Sequence, residues 1–472
     1  MNKQIILMLS SMMFFLLFCS SLFPQAEYLK GADISYLQQI EDNGGIYKEN
    51  GIAGDPILIL KNHGINIIRI RLWNNPPEGY NNLAKLLIMA KRIKQANLKL
   101  LVDFHYSDSW ADPGKQIKPA AWGSLNFSSL EDSIYSFTKH VLSSLKAQNT
   151  LPDIIQIGNE ITYGILWDDG RVGGIYDTPL QWSNFTSLLQ KCINGANEVR
   201  GTDSMKIMIH IDCSTDSTKC KWFFDNLNSY NVSYDYIGVS YYPWFQGELD
   251  PLPSNLNFLA TRYNKPIIIA ETGYPWTLGW DDTTNNYVGN QSQLLPGYTA
   301  TVEGQKKFLI DLISINKNIR GNFGKGVIYW EPLSITTPTF GSAMENLAFF
   351  DFQGNLLNSI SAFENINSVN GAGNPVSGYD LKQNYPNPFN PSTIISYQIP
   401  KNSFVKIEVY DIKGDKIEDL VNGELKAGYY SVEFNAVSGR NLASGVYFYR
   451  MTATDVTTDK LFIVTKKFVL VK

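Results

Sequence analysis

Strand patterns and helical patterns alternate along residues 27–365 of this 472-residue chain. In the clearest helical pattern, residues 128–146, Ser128 and Glu131 have the spacing of a capping box. The eight candidate strands span residues 28–37, 65–73, 99–107, 153–160, 206–212, 234–242, 265–271 and 326–331. Strands that alternate with helices build parallel sheets, and eight such units predict an α/β fold, the (β/α)8 TIM barrel.

The composition changes after residue 365. Residues 366–379 are polar and rich in Gly, Asn, Ser and Pro, which is typical of a linker. Residues 380–472 contain short alternating runs that Gly and Asn interrupt. We therefore predict a second domain, a small all-β sandwich of the immunoglobulin-like kind.

The first 26 residues are typical of an export signal. Lys3 supplies the positive end, and the apolar stretch at residues 5–18 is too short for a comfortable membrane span. A lipoprotein anchor at Cys19 is the alternative, although the residues before Cys19 are larger than such sites usually carry.

Three cysteines remain once the signal is removed. Cys213 and Cys220 could close a small loop, and Cys192 is expected to be a buried thiol on a helix. Their spacing is not that of a metal site, so we predict structural roles.

Two of the candidate strands end at a glutamate. The runs at 153–160 and 265–271 are apolar, rich in isoleucine, and stop at Glu160 and Glu271. A strand buried on both faces has no reason to end in an ionisable group unless that end opens onto a site. The carboxyl ends of barrel strands form the catalytic face, so this pair predicts a glycosidase with an acid/base and a nucleophile. Solvated or ion-paired loop glutamates are the alternative.

Polar residues on neighbouring strands extend this candidate site. Arg69 and Arg71 alternate with isoleucines and so point into the barrel. Arg71, nearer the strand end, is predicted to hold Glu271 ionised, and Arg69 is assigned to a buried ion-pair network. Asn159, beside Glu160, is predicted to bind a sugar hydroxyl, with ordinary turn chemistry as the alternative.

Other strand-end residues are predicted to recognise substrate. Asp103, His105, His210 and Asp212 lie at the ends of the third and fifth strands, where they would bind hydroxyl groups. Aromatic side chains would offer flat faces to sugar rings, although core packing is the alternative for each of them. The aromatic candidates are Trp73, Trp110, Tyr242, Trp244, Trp276 and Trp330.

Several sequence blocks are similar to those of a known family. The blocks are G-A-D-I-S-Y at 31–36, I-R-L-W-N-N at 70–75, D-F-H-Y-S-D-S-W-A-D-P-G-K-Q at 103–116, Q-I-G-N-E-I at 156–161, H-I-D at 210–212, S-Y-Y-P-W at 240–244 and E-T-G-Y-P-W at 271–276. They resemble the arabinogalactan endo-β-1,4-galactanases of glycoside hydrolase family 53. The resemblance covers about residues 28–360. It implies a retaining enzyme that cuts β-1,4-galactan in type I arabinogalactan, with Glu160 as acid/base and Glu271 as nucleophile.

The resemblance raises the question of a metal, and two alternative functions stay open. Some bacterial relatives carry calcium in the loop after strand seven, but W-D-D-T-T-N-N-Y at 280–287 lacks a clear alternating series of ligands, so we expect no cofactor. Another retaining hydrolase, a mannanase or a xylanase, is the nearest alternative activity. A non-catalytic surface protein that binds glycans is the alternative of a different class.

The tail has a resemblance of its own. The blocks at 381–394, 443–450 and 466–470 are similar to C-terminal sorting domains of type IX secretion, which implies a secreted or cell-surface protein with that machinery as a partner. A plain accessory module is the alternative, yet all ten tryptophans precede the linker, which argues against sugar binding by the tail. The net charge of −4 argues against a basic surface that could bind nucleic acid. We also expect the protein to be a monomer.

Overall fold

The computed structural model describes residues 27–364, 378–381, 383–384, 387–425, 428–437 and 442–472. The chain divides into two compact units between Ile366 and Asn367. The predicted export signal, residues 1–26, and residues 366–377 of the predicted linker lie outside the described residues.

The first unit is built around a closed barrel of parallel strands. Its strands are β1 Leu29–Asp33, β2 Ile67–Leu72, β3 Lys99–Phe104, β4 Ile154–Ile157, β5 Lys206–Ile211, β6 Tyr236–Tyr241, β7 Ile267–Thr272 and β8 Gly324–Trp330. Each strand pairs with its neighbours in sequence, and β8 closes the ring on β1, with Asp33 opposite Trp330. The predicted TIM barrel is confirmed.

Most of the helices pack around the outside of this barrel. In the described part of the chain the helices are α1 Leu37–Asp42, α2 Pro56–Asn62, α3 Leu83–Gln95, α4 Phe127–Ala147, α5 Pro179–Arg200, α6 Ser217–Ser229, α7 Pro243–Gln246, α8 Pro251–Tyr263 and α9 Val302–Lys317. The short α7 lies at the strand ends. The predicted capping box on α4 is wrong, because the cap is Asn126, whose side chain accepts the amide of Ser129 at 2.9 Å. Glu131 instead accepts a hydrogen bond from Ser187 on α5. Among the described residues, every helix is too short or too polar to cross a lipid bilayer.

Successive inward positions on the strands change from apolar to polar. Ile67 and Leu101 belong to a fully buried apolar layer inside the barrel. Two residues later on the same strands come Arg69 and Asp103, which are also buried. Because side chains of a strand alternate between its two faces, every second residue points into the barrel. These inward residues are apolar farther from the carboxyl end of the strand and polar closer to it. The chain thereby builds a polar floor on an apolar base.

The second unit is a sandwich of antiparallel strands. They are β9 Asp380–Leu381, β10 Ser392–Ile399, β11 Ser403–Tyr410, β12 Lys416–Leu425, β13 Gly428–Asn435, β14 Gly445–Asp455 and β15 Leu461–Leu470. Their orders are β9-β10-β13 in one sheet and β12-β11-β14-β15 in the other. Val405, Ile407 and Tyr449 are fully buried in its own apolar core, so the predicted all-β architecture is confirmed.

Separate apolar cores predict separate folding. We expect a protein ending at residue 366 to unfold cooperatively, at the temperature at which the barrel unfolds in the full-length chain. Differential scanning calorimetry of both proteins measures this directly. A shortened protein that unfolds at a clearly lower temperature would show that the barrel depends on its tail.

Candidate active site

A cavity of about 450 Å³ opens where the barrel strands end. Side chains from β2 to β8, or from the loops that follow them, line its walls. Glu160 and Glu271 both lie on this lining, as their positions after β4 and near the end of β7 predicted.

Glu160 sits where the backbone turns sharply out of β4. Its φ is 49°, in the left-handed region, and Gly158 just before it has a φ of 77°. A Cβ at Gly158 would lie 2.4 Å from a side-chain carbon of Ile161, so glycine is required there. This tight turn places the Glu160 carboxyl on the cavity wall.

A chain of hydrogen bonds holds the Glu160 carboxyl. The Ser240 hydroxyl donates to Oε1 of Glu160 at 2.6 Å. His210 Nε2 lies 2.9 Å from that hydroxyl, and Gln156 lies 3.0 Å from His210 Nδ1. Burial lowers the pKa of His210 well below its ordinary value, which keeps the ring neutral.

Glu271 is held by a cation. Its Oε1 lies 2.8 Å from Nη2 of Arg69, and the Tyr242 hydroxyl donates to its Oε2 at 3.1 Å. Burial raises the pKa of Glu271, and Arg69 opposes that rise. For Glu160, burial and the nearby charge of Glu271 raise the pKa well above the usual value. Of the two carboxyl groups, Glu160 therefore keeps the proton and Glu271 is ionised.

The prediction that Arg71 holds Glu271 is wrong. Strand β7 runs one residue beyond Glu271, to Thr272, so the Glu271 carboxylate lies at the depth of Arg69. Arg71 instead lies 3.6 Å from Glu331 and sits 3.9 Å from the ring centre of Trp110. The predicted ion-pair role of Arg69 holds, because it also pairs with Asp33 and Asp103; its contact with Glu271 was not foreseen.

Most of the other predicted residues line the cavity. They are Arg71, His105, Trp110, Asn159, Asp212, Tyr242, Trp244 and Trp330. The side chain of Asn159 is largely engaged by the protein, since its oxygen accepts from Arg69 and its nitrogen donates to the carbonyl of Ala111, both at 2.9 Å.

Four predicted residues are absent from the cavity lining, among the residues that the structure describes. Asp103 and His210 are buried behind it, where Asp103 accepts from Arg69 at 2.9 Å. The Trp73 ring nitrogen lies 3.3 Å from His105, and that of Trp276 donates to the carbonyl of Glu345 at 3.1 Å. The geometry favours supporting roles for these four side chains and argues against direct contact with substrate.

Sequence reasoning missed several residues of the site. Phe245, with 68% of its surface exposed, and Tyr287 lie on the cavity rim. Ser240, which holds Glu160, was also missed. Phe245 directly follows the S-Y-Y-P-W block, and Ser240 opens it and shares the strand face of Tyr242, so that block carried the signal.

The loop after β7 does not present a free set of metal ligands. Asp282 Oδ2 accepts hydrogen bonds from the Thr336 hydroxyl and the Ser342 amide, both at 2.7 Å. Glu345 accepts the Asp281 amide at 2.7 Å. In the described ranges, no group of three or more His, Cys, Asp or Glu side chains could hold a metal ion. The expectation that the protein needs no cofactor stays a prediction.

Comparisons with known proteins identify both units. Residues 29–363 match the model of glycosyl hydrolase family 53. Residues 383–465 match the model of the secretion system C-terminal sorting domain. This second match confirms the predicted sorting tail of type IX secretion and indicates a secreted or cell-surface protein.

Relatives and solved structures cover the barrel. A protein of Niallia circulans, named for its place in the bgaB 5′ region, is 44% identical over 345 residues, which are 71% of this chain and 93% of that protein. The arabinogalactan endo-beta-1,4-galactanase of Cellvibrio japonicus is 35% identical over 68% of this chain and 86% of its own length. The structure of the Ignisphaera aggregans GH53 catalytic domain superposes with a TM-score of 0.68, at 34% identity, over 73% of this chain and 98% of that one.

The family match spans the whole barrel, including both strand-end glutamates and the cavity between them. The chain belongs to glycosyl hydrolase family 53.

Proposed function

We propose that this protein is an endo-acting, retaining glycosidase that hydrolyses the β-1,4-galactosidic bonds of type I arabinogalactan. The observation that carries the proposal is a pair of glutamates in one cavity whose surroundings separate their protonation states. Family membership and the galactanase of Cellvibrio japonicus support the substrate. Action as a monomer is part of the proposal.

In the first chemical step, an ionised Oε atom of Glu271 attacks the anomeric carbon. The bond from that carbon to the leaving oxygen breaks, and Glu160 gives its proton to the leaving oxygen. In the second step Glu160 takes a proton from water, and the water oxygen replaces Glu271 at the anomeric carbon. Two inversions leave the configuration retained.

The contacts around the two carboxyl groups suit these roles. Arg69 and Tyr242 keep Glu271 ionised and fixed in direction. The charge of Glu271 is one cause of the raised pKa of Glu160. Since formation of the glycosyl ester removes that charge, the pKa of Glu160 falls at the moment when it must become a base.

The aromatic residues of the cavity support a bent polymer as substrate. Galactan is linked through an axial 4-hydroxyl, so its chain turns more at each sugar than xylan or mannan does. The ring of Trp330 lies at 71° to that of Trp110, at 72° to that of Tyr242 and at 58° to that of Tyr287. Aromatic faces set at such angles suit a bent chain of sugars better than a flat ribbon.

The two glutamates are tested by isosteric substitution. We expect Glu160→Gln and Glu271→Gln each to give a folded protein with at least about a thousandfold lower kcat on linear β-1,4-galactan, because each role requires an ionisable group. In the truncated variants Glu160→Ala and Glu271→Gly, azide should restore turnover with an inverted product only at position 271. Rescue with that product at position 160 alone would reverse the roles.

The hydrogen bond from Ser240 sets a pH dependence. It stabilises the ionised form of Glu160 and so lowers the pKa of that carboxyl. Activity requires Glu160 protonated and is lost as pH rises through its pKa, so Ser240→Ala should move the alkaline limb of kcat/KM to higher pH. The acid limb, set by Glu271, should stay in place. Ser334→Ala is the matched control, because Ser334 is also buried and its hydroxyl bonds to that of Ser342. An alkaline limb that stays fixed or moves to lower pH contradicts this arrangement.

Phe245 tests the substrate-binding surface. We expect Phe245→Ala to raise KM for linear galactan roughly 2- to 12-fold with kcat nearly unchanged, the range of one aromatic stacking contact. Phe404→Ala serves as control, because Phe404 is also exposed, at 41%, but lies in the tail. An unchanged KM would remove Phe245 from the binding surface.

The wild-type protein tests the proposed substrate itself. Faster hydrolysis of mannan or xylan than of galactan would overturn the substrate assignment. Binding of galactan without cleavage would favour a glycan-binding protein.

A further inference from the structure

Two cysteines face each other just beyond the end of β5. The Sγ atoms of Cys213 and Cys220 lie 3.1 Å apart, and both side chains are buried. Cys213 directly follows Asp212, which lines the cavity, and Cys220 lies in the first turn of α6. The two residues therefore join the wall of the active site to a barrel helix.

Local backbone structure brings the two residues together. The amide of Asp216 donates to the carbonyl of Cys213 at 3.1 Å, which turns the chain back on itself. The Asp216 side chain then caps α6 by accepting the amides of Thr218 and Lys219. The helix continues from this turn and returns residue 220 over residue 213, so the pairing does not depend on distant contacts.

A residue from another helix closes this small structure. Asn255 on α8 donates to the carbonyl of Ser214 at 2.7 Å and to that of Cys213 at 3.3 Å. Its side-chain nitrogen also lies 3.5 Å from the sulfur of Cys220. The two sulfur atoms are thereby held in one position and shielded from water.

We propose that Cys213 and Cys220 form a disulfide bond in the exported protein. The sorting domain directs this chain out of the cytoplasm, and compartments beyond it favour oxidised thiols. The two thiols lose two electrons and two protons to a protein or small-molecule disulfide of that compartment, which becomes two thiols. The inference does not rest on the proposed activity.

The order of events follows from burial. Burial raises the pKa of Cys213, and a buried thiol has little of the thiolate that exchange requires. The bond therefore forms before α6 packs against the barrel. The third cysteine is set apart, because Cys192 lies on α5 in contact with Tyr106.

The bond would stiffen one wall of the cavity. It closes a loop at residues 213–220, adjoining Asp212, whose carboxylate accepts the Thr162 hydroxyl. The carbonyl of Asp212 accepts from Gln246, another residue of the lining, at 3.1 Å. A fixed backbone after β5 thus supports neighbouring groups of the site.

Peptide mapping tests the bond directly. The full-length gene product, recovered after export, is denatured without reductant, treated with iodoacetamide and digested with trypsin. Because Lys219 separates the two cysteines, we expect peptide 207–219 joined to the dipeptide 220–221, two hydrogen masses below the sum of the separate thiol peptides. Cys192 should be alkylated. Alkylation of both Cys213 and Cys220, or a link from either to Cys192, overturns the proposal.

Thermal unfolding of variants gives a second measurement. Cys213→Ala, Cys220→Ala and the double variant should all lower Tm by the same few degrees, because any one of them removes the bond. Cys192→Ala is the control and should leave the linked peptides unchanged. Losses that add in the double variant would mean that the two thiols only pack, and would overturn the bond.

Discussion

One buried guanidinium organises the floor of the cavity. Arg69 is 1% exposed and pairs with Asp33 at 2.7 Å, Asp103 at 2.9 Å and Glu271 at 2.8 Å. These partners come from β1, β3 and β7, and Arg69 itself from β2. Loss of one member of a buried ion pair costs about 3–5 kcal/mol, because the other charge stays buried without a partner. The geometry of Glu271 and the ion pairs among four barrel strands therefore depend on the same side chain.

Gln156 links the supports of the two carboxyl groups. Its oxygen accepts from Nε of Arg69 at 3.1 Å, on the side of Glu271. Its nitrogen lies 3.0 Å from His210, which leads through Ser240 to Glu160. A neutral amide can serve both sides because it offers an acceptor and donors without adding charge. The two glutamates are thus held by a cation on one side and by neutral groups on the other, which is what separates their protonation states.

The sequence could predict those features of the fold and the site that depend on the local pattern of apolar residues. The eight strands and the two glutamates follow from apolar period and from where each run stops. Depth along the barrel axis was not predictable: whether Arg69 or Arg71 meets Glu271 depends on β7 reaching Thr272 and on the register between strands. The sequence also did not determine which residue caps α4, because Asn126 and Ser128 are both favourable N-cap residues. Trp276 and Trp73 were predicted to contact substrate because the sequence does not show whether an aromatic ring faces a ligand or bonds to another protein group. The ring nitrogen of Trp276 bonds to the carbonyl of Glu345, and that of Trp73 lies next to the His105 ring.

The partners of Arg69 are spread along most of the barrel sequence, from Asp33 to Glu271. A chain synthesised from its amino end has Asp33 and Asp103 available early, but it lacks the last carboxylate until β7 has emerged. In a half-barrel the Arg69 guanidinium would lack Glu271 as a partner while it is partly removed from water. This loss of hydration costs free energy, which apolar contacts among the first strands would have to offset. Such an intermediate is poorly stabilised, so completion of the ring and assembly of the cavity floor belong to one cooperative folding event.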